Sequence, residues 1–448
     1  MKTASVFVLT GEDGKLLPPA IQATVLAKYS RSPLSAEEIV HGVTPADADT
    51  FQGKWGVEYG HSSVAELTTL PYCFEGVSII ASKVLERYQR AGYSEKSTRY
   101  QVFSEESFIE PQGAPDLLRD AAKVAYRTYR DLERPVLEHV AKLVGGAPIE
   151  ELMKKPSVKA RAFDNLRYLL PAGTGTNLAG VFNARDARYV MSDLLGSSNP
   201  ELRAIGERMV AAASKFAPVF AMGAKANTFE PPIRDLGRGR VPRTKSSEWR
   251  VTIEDPMTAD DAFRHETRFW QRVSDWHGLD RGAFGALMET RGKHPVPEIF
   301  KTVPITFDVM MDYGAFRDLQ RHRRCEQYVE PLGTDYGYLV PDDLKGTEFE
   351  APYRSAMDEV GTACRTMISS GVSSSIVQYA VPLGYLHRSI FQMDMRELYY
   401  ITELRTQPQG HISYRRVAWE MAELARVCYP TLMPWNRAIR PDAIGEHR

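Results

Sequence analysis

The chain carries one motif twice, and each copy is broken in a different place. Arg321-His322-Arg323 is followed, after seven residues, by Pro331. Arg87-Tyr88-Gln89 is followed, after seven residues, by Ser97 and then Arg99-Tyr100. The second copy keeps a basic head, and the first keeps a hydroxyl-bearing tail. Their surroundings match. Leu70, Tyr72 and Phe74 alternate as in a half-buried strand. A helix with Ile79, Ile80, Val84 and Leu85 on one face follows and runs into the polar loop Gly92 to Ser97. In the second half Val303, Ile305 and Phe307 alternate in the same way. A helix with Val309, Tyr313 and Phe316 on one face then leads into Arg321. A repeat of this kind favours two related units over one large core.

The correspondence continues downstream. Asn183-Ala184-Arg185 opens a helix with Ala187, Val190, Met191 and Leu194 facing a core. Asp394-Met395-Arg396 opens another, with Leu398 and Thr402 in phase. The first half is longer between these landmarks, which predicts an extra helical stretch around Asp116 to Val144. The boundary falls where Pro231-Pro232, Gly237-Arg238-Gly239-Arg240 and Pro242 deny regular structure. The expected organisation is a repeat over 1–228, a linker over 229–249 and a second repeat over 250–448. The linker's basic cluster reads as solvated chain rather than a nucleic-acid contact, because no aromatic residues are interleaved with the charges.

Composition narrows the class. The chain has 448 residues, 43% apolar and 25% charged, as in an ordinary globular protein. A formal net charge of −1 gives no global attraction to nucleic acid or an acidic membrane. Four scattered cysteines, Cys73, Cys325, Cys364 and Cys428, form no CxxC pair. That argues against a zinc site or a disulfide framework and fits a reducing cytoplasm. The N-terminal apolar run is too short for a signal peptide, and no stretch approaches the roughly 20 apolar residues of a membrane helix.

The motifs suit a ligand with phosphates and a flat ring. Guanidinium groups make bidentate bonds to phosphate and stack on rings, and an imidazole can donate to a nucleotide or flavin oxygen. A solvated helix C-terminus would also place cations at 321–323. The run Glu95-Lys96-Ser97-Thr98-Arg99 could wrap a nucleotide phosphate, or cap a helix at Ser97 or Thr98 with Glu95 and Arg99 as a surface pair. With no histidine base nearby in sequence, Ser97 reads as a binding residue rather than a nucleophile. His61-Ser62-Ser63 looks like a helix start able to receive an anion, or simply a cap.

Two arginines sort by half. Arg167, four residues before Pro171, has Gln378 as its second-half counterpart. Arg405, nine residues after Arg396, has Leu194 as its first-half counterpart. Nine residues on a straight helix is about 900°, so Arg396 and Arg405 face opposite sides.

Together these residues resemble the flavin-dependent thymidylate synthase family (thymidylate synthase complementing protein). The match covers residues 61–66, 87–100, 167–185, 321–323 and 395–405. The family's single unit is about half this chain. The resemblance implies an α/β (α+β) fold of two tandem units, each an antiparallel sheet flanked by helices. It implies dUMP and methylenetetrahydrofolate as substrates, FAD as cofactor and NADPH as reductant. No protein nucleophile is implied; binding, orientation and electrostatics are the protein's share.

By the same resemblance, Arg321, His322 and Arg323 match the flavin-contacting head, with Arg321 also bordering dUMP. Asn183, Arg185 and Arg396 match a flavin-binding Asn-x-Arg, from which Asp394 departs. His61 and Ser63 match a further flavin contact. Glu95, Lys96, Ser97, Thr98 and Arg99 match the dUMP loop, and Arg167 matches another dUMP-binding arginine. Arg405 matches the arginine that ionises the uracil at N3, the catalytic role. In the family, head and serine loop meet across chains. The split pattern therefore implies a composite site, with its head and Arg405 from repeat two and its loop and Arg167 from repeat one. A homodimer mimicking the family tetramer, with two competent and two degenerate sites, is the expected assembly. A relative on this fold with another reaction, and a non-catalytic nucleotide-binding protein, remain as alternatives.

Overall fold

The structure is a computed structural model and describes residues 7–11, 13–52, 62–99, 101–216, 218–229, 249–253 and 259–441. Most of the expected linker, residues 230–248, and His61 lie outside the described residues. The chain forms two compact units that cut across the sequence repeat. One comprises Met1–Val77, Ala81–Lys96 and Thr176–Leu236, and the other Ser78–Ile80, Ser97–Gly175 and Gly237–Arg448.

The first unit is built on a three-stranded sheet in the order β1-β3-β2, with β1 Thr69–Ser78, β2 Gly92–Glu95 and β3 Gly175–Asn183. Strand β2 pairs antiparallel with β3, Gly92 opposite Val181 and Glu95 opposite Leu178. The segment expected as a polar loop is thus largely an edge strand, because its backbone is taken up by β3. Helix Ala184–Gly196 follows β3 directly, capped by Asn183, whose side chain accepts from the Asp186 amide. Its buried face is Ala184, Ala187, Val190, Met191 and Leu194. It packs with Leu70, Phe74, Leu178 and Phe182 from the sheet in one apolar cluster.

The second unit holds a four-stranded sheet in the order β4-β5-β7-β6: β4 Arg250–Ile253, β5 Pro304–Asp312, β6 Glu326–Val329 and β7 Leu386–Asp394. All three pairings are antiparallel, the longest being β5 with β7, from Pro304 opposite Asp394 to Asp312 opposite Leu386. Val309 belongs to β5, not to the following helix, which begins at Tyr313 with Asp312 as its cap. The ladder with β7 carries the strand beyond the point where its apolar pattern changes.

Residues from both halves of the sequence build this unit's core. The long helix Asp116–Val144, expected as the first-half insertion, packs on helix Glu350–Ser369 of the second half. Beside them two corresponding turns pair antiparallel. Gly173 donates to the Tyr379 carbonyl at 2.7 Å and Ala172 to Val381 at 2.9 Å; Leu383 donates to Leu170 and Gly384 to Tyr168, both at 2.9 Å. Gly173 and Gly384 each lie two residues after the matching prolines Pro171 and Pro382, which form a bridge. A Cβ on Gly173 would meet the Tyr379 oxygen at 2.9 Å, and one on Gly384 would meet Tyr168 Cβ at 3.0 Å. The two repeats therefore embrace through a local twofold-like pairing that only glycine permits at those two points.

Candidate active site

Five arginines gather within the second unit, drawn from both halves of the sequence. Arg167 follows helix Pro156–Leu166 and is buried. Its Nη1 lies 3.7 Å from Asp318, its Nη2 donates to the Gly314 carbonyl at 3.4 Å, and its buried Nε has no hydrogen-bond partner. A Cβ on Gly314 would sit 3.6 Å from that Nε and 3.0 Å from Asp312 Oδ1, so a glycine there lets the guanidinium approach the backbone. Arg99 makes a bidentate pair with Asp164, at 2.7 and 2.8 Å. Arg317 donates to the hydroxyl of buried Thr98 at 3.3 Å. The other two, Arg321 and Arg405, share with Arg167 and Arg317 the field of Asp318.

Burial pushes the Asp318 carboxyl up, but the guanidiniums of Arg167, Arg321, Arg405 and Arg317 together outweigh this and hold it below its usual value. Burial opposes the charge on Arg167 as well, and Asp164 and Asp318 more than restore it. With five guanidiniums around three carboxylates, Asp164, Asp318 and Asp312, the cluster suits an anionic ligand.

Arg405 ends helix Met395–Arg405 and lies over the Tyr414 ring, 5.8 Å from its centroid. Its Nε is 2.7 Å from His322 Nε2. His322 is 3% exposed, and its Nδ1 is 3.2 Å from Glu397 Oε1. Burial and Arg405 push the imidazole below its ordinary pKa, against the pull of Glu397. Behind Arg167 stands a buried layer. His411 caps helix Ile412–Cys428, and its ring meets Tyr168 edge-on at 5.5 Å. Ser413 Oγ donates to Asp312. Burial and the Arg167 charge drive His411 down to about 3.

The structure brings Ser97, Thr98, Arg99, Arg167, Arg321, His322, Arg323, Arg396 and Arg405 into this unit. The head follows a helix that ends at Leu319, with Arg321 and Arg323 exposed and His322 turned inward. Arg396 pairs with Glu298 at 3.1 Å, well separated in role from Arg405 on the same helix. Thr98 and Arg99 form a turn, and no helix starts there.

Glu95, Lys96, Ser63, Asn183 and Arg185 belong to the first unit. The Glu95 side chain is fully buried and takes hydrogen bonds from Ser82 and Lys83 at 2.7 and 2.9 Å. It is not a surface partner of Arg99. Ser63 is exposed on the 3₁₀ turn Ser62–Leu67, and Arg185 pairs with Glu66 of that turn at 2.7 Å.

Sequence reasoning missed Asp164, Asp318, Arg317, Glu397, His411 and Tyr414. A signal existed for the first two: Asp164 precedes Arg167, and Asp318 precedes Arg321, by three residues. That spacing places acid and arginine on one helix face. The others reach the cluster only through tertiary packing.

Comparison with known proteins decides the family. The model of the thymidylate synthase complementing protein family matches residues 20–219 and again 251–431. The chain belongs to that family. The two matched segments coincide with the two halves that carry the motif copies.

Among relatives, a UPF0159 protein of Chlamydia muridarum is 28% identical over 91% of this chain and 88% of its own length. A UPF0159 protein of Thermoplasma acidophilum is 25% identical over 86% of this chain and 87% of its own. A flavin-dependent thymidylate synthase of Clostridium tetani is 24% identical over 43% of this chain and 76% of its own length. The similarity to the UPF0159 proteins thus runs over most of this chain, and that to the Clostridium tetani synthase covers under half of it. Among the described residues, no helix is long and apolar enough to cross a membrane.

Proposed function

We propose that this protein is a flavin-dependent thymidylate synthase, converting dUMP to dTMP with methylenetetrahydrofolate, FAD and NADPH. One observation carries the reading. Arg167 of the first repeat and Asp318, Arg321 and Arg405 of the second surround one charged centre within one chain.

In this reading the phosphate of dUMP lies against Arg167, Arg321 and the loop Ser97 to Arg99. The orphaned Nε–H of Arg167 is a buried donor waiting for an acceptor. Arg405 faces the pyrimidine and stabilises negative charge at N3 and the adjacent carbonyl. The exposed guanidiniums of Arg321 and Arg323 fit the pyrophosphate and ring of FAD, and Arg396 is a further candidate for flavin in this unit. Asn183, Arg185 and Ser63 offer donors for flavin in the first unit; Arg185 has a buried Nε without a partner. FAD, when bound, supplies the redox chemistry and relays the one-carbon unit. The chain's own residues bind, orient and polarise. The proposed assembly is a homodimer whose two competent sites are these composite ones. Proposed partners are small molecules, with neither nucleic acid nor a membrane, in the cytoplasm.

A second reading rests on Arg99. Its bidentate grip on Asp164 occupies a guanidinium that the family resemblance gives to dUMP. A relative that binds flavin or a nucleotide for another reaction, or catalyses none, would tolerate that. NADPH- and folate-dependent release of tritium from C5-labelled dUMP separates the two. Release supports the synthase, and a yellow, flavin-bearing protein without release supports the relative.

A further inference from the structure

Arg405 differs from the other candidate arginines in what holds it. Arg99 is held by Asp164, Arg167 lies against Asp318, Arg185 against Glu66 and Arg396 against Glu298, each a carboxylate. The Nε of Arg405 points instead at a ring nitrogen, His322 Nε2, at 2.7 Å. A guanidinium only donates, so Nε2 must present its lone pair. The imidazole is therefore neutral, with its proton on Nδ1, where Glu397 Oε1 accepts it at 3.2 Å. Glu397 is itself fixed in the first turn of the arginine's own helix, its amide capped by Asp394 Oδ1 at 2.8 Å. Burial keeps the ring from charging.

We infer that His322 is a positioning residue, a neutral imidazole that pins Arg405 from behind and is pinned in turn by Glu397, rather than a contact to flavin. A neutral acceptor fixes the guanidinium without neutralising it. Among the described residues neither Nη group of Arg405 has a hydrogen-bond partner, so both remain for a ligand. The first repeat lost these features together. Tyr88 stands at the position of His322 and Leu194 at that of Arg405. There Tyr88 donates to Asp193 at 2.8 Å instead.

This inference rests on the proposed role of Arg405 toward the pyrimidine, and its test separates the two. Full-length His322→Leu, His322→Gln and Glu397→Gln are prepared, and flavin content and dUMP affinity are measured separately. The relay predicts that His322→Leu weakens dUMP binding about tenfold or more with flavin content unchanged. His322→Gln, whose side-chain oxygen can still accept from Arg405, should recover most of that loss. Loss of flavin with dUMP affinity unchanged would overturn the relay and restore His322 to the flavin. If the wild type binds no dUMP, the synthase reading fails on its own. The relay is then judged by the ¹⁵N spectrum of labelled histidine near neutral pH. A neutral Nδ1–H ring at His322 supports it; a doubly protonated or Nε2–H ring overturns it.

Discussion

Arg167 and Asp318 come from different halves of the sequence and meet at 3.7 Å within one chain. The pair marks a charged centre that neither half could assemble alone. Gln378 stands at the second-half position of Arg167, and Val84 at the first-half position of Asp318. Neither side chain can take the place of its charged counterpart.

The Arg99–Asp164 pair should be a stability element as well as a neighbour of the site. Its side chains are 18% and 5% exposed. Arg99→Ala leaves a buried carboxylate without its bidentate partner, which costs roughly 3 kcal/mol. Urea unfolding should show that loss, with a smaller one in Arg99→Ala/Asp164→Asn, where the stranded charge is gone.

The paired turns give a symmetric prediction. Gly173→Ala drives a methyl toward Phe108 and the Tyr379 carbonyl, at 2.6 and 2.9 Å. Gly384→Ala drives one toward the Tyr353 hydroxyl and Tyr168, at 2.8 and 3.0 Å. Each should destabilise by roughly 1–3 kcal/mol. Thermal unfolding of both variants checks it, and a Gly173→Ala protein as stable as the wild type would remove the constraint assigned to that turn.

His411 predicts an acid-side instability. In the unfolded chain it takes up a proton near the ordinary histidine value of about 6.5, whereas in the fold it stays neutral until about 3. Between those values the unfolded state binds more protons, so the His411 contribution to stability falls as pH falls. The slope is on the order of 1 kcal/mol per pH unit. His411→Asn keeps a capping side chain at the start of helix Ile412–Cys428 and removes the titration. Unfolding midpoints at pH 7 and pH 5 should diverge more for the wild type than for the variant.

The sequence made the repeat legible because apolar periodicity survives divergence. Strands at 69–78 and 304–312, helix starts at Asn183 and Asp394, and a long helix at 116–144 were all legible in the sequence. The edge strand at Gly92–Glu95 did not, because its few residues are polar and their pairing comes from β3. For the site, Arg99, Arg167, Arg321 and Arg405 were legible as motif residues, but Arg317 and the carboxylate partners were not. Asp164 and Asp318 show only a three-residue spacing, while His411, Tyr414 and Glu397 depend on how distant helices pack. The compact units were hidden for the same reason, since residues 97–175 join the second half through contacts remote in sequence.

Arg405 is where the chemistry is most exposed to a single substitution. Arg405→Ala removes the cation proposed to face the pyrimidine but none of the residues proposed to hold flavin. It should lower the rate by about 10²–10³-fold while flavin content stays level. An unchanged rate would take Arg405 out of the mechanism.

The most direct measurement is tritium release from C5-labelled dUMP by the purified full-length protein with FAD, NADPH and methylenetetrahydrofolate. The composite site predicts release that depends on NADPH and on the folate and is lost in both Arg167→Ala and Arg405→Ala. A flavin-loaded, folded protein that releases no tritium would contradict the assignment of this site to thymidylate synthesis.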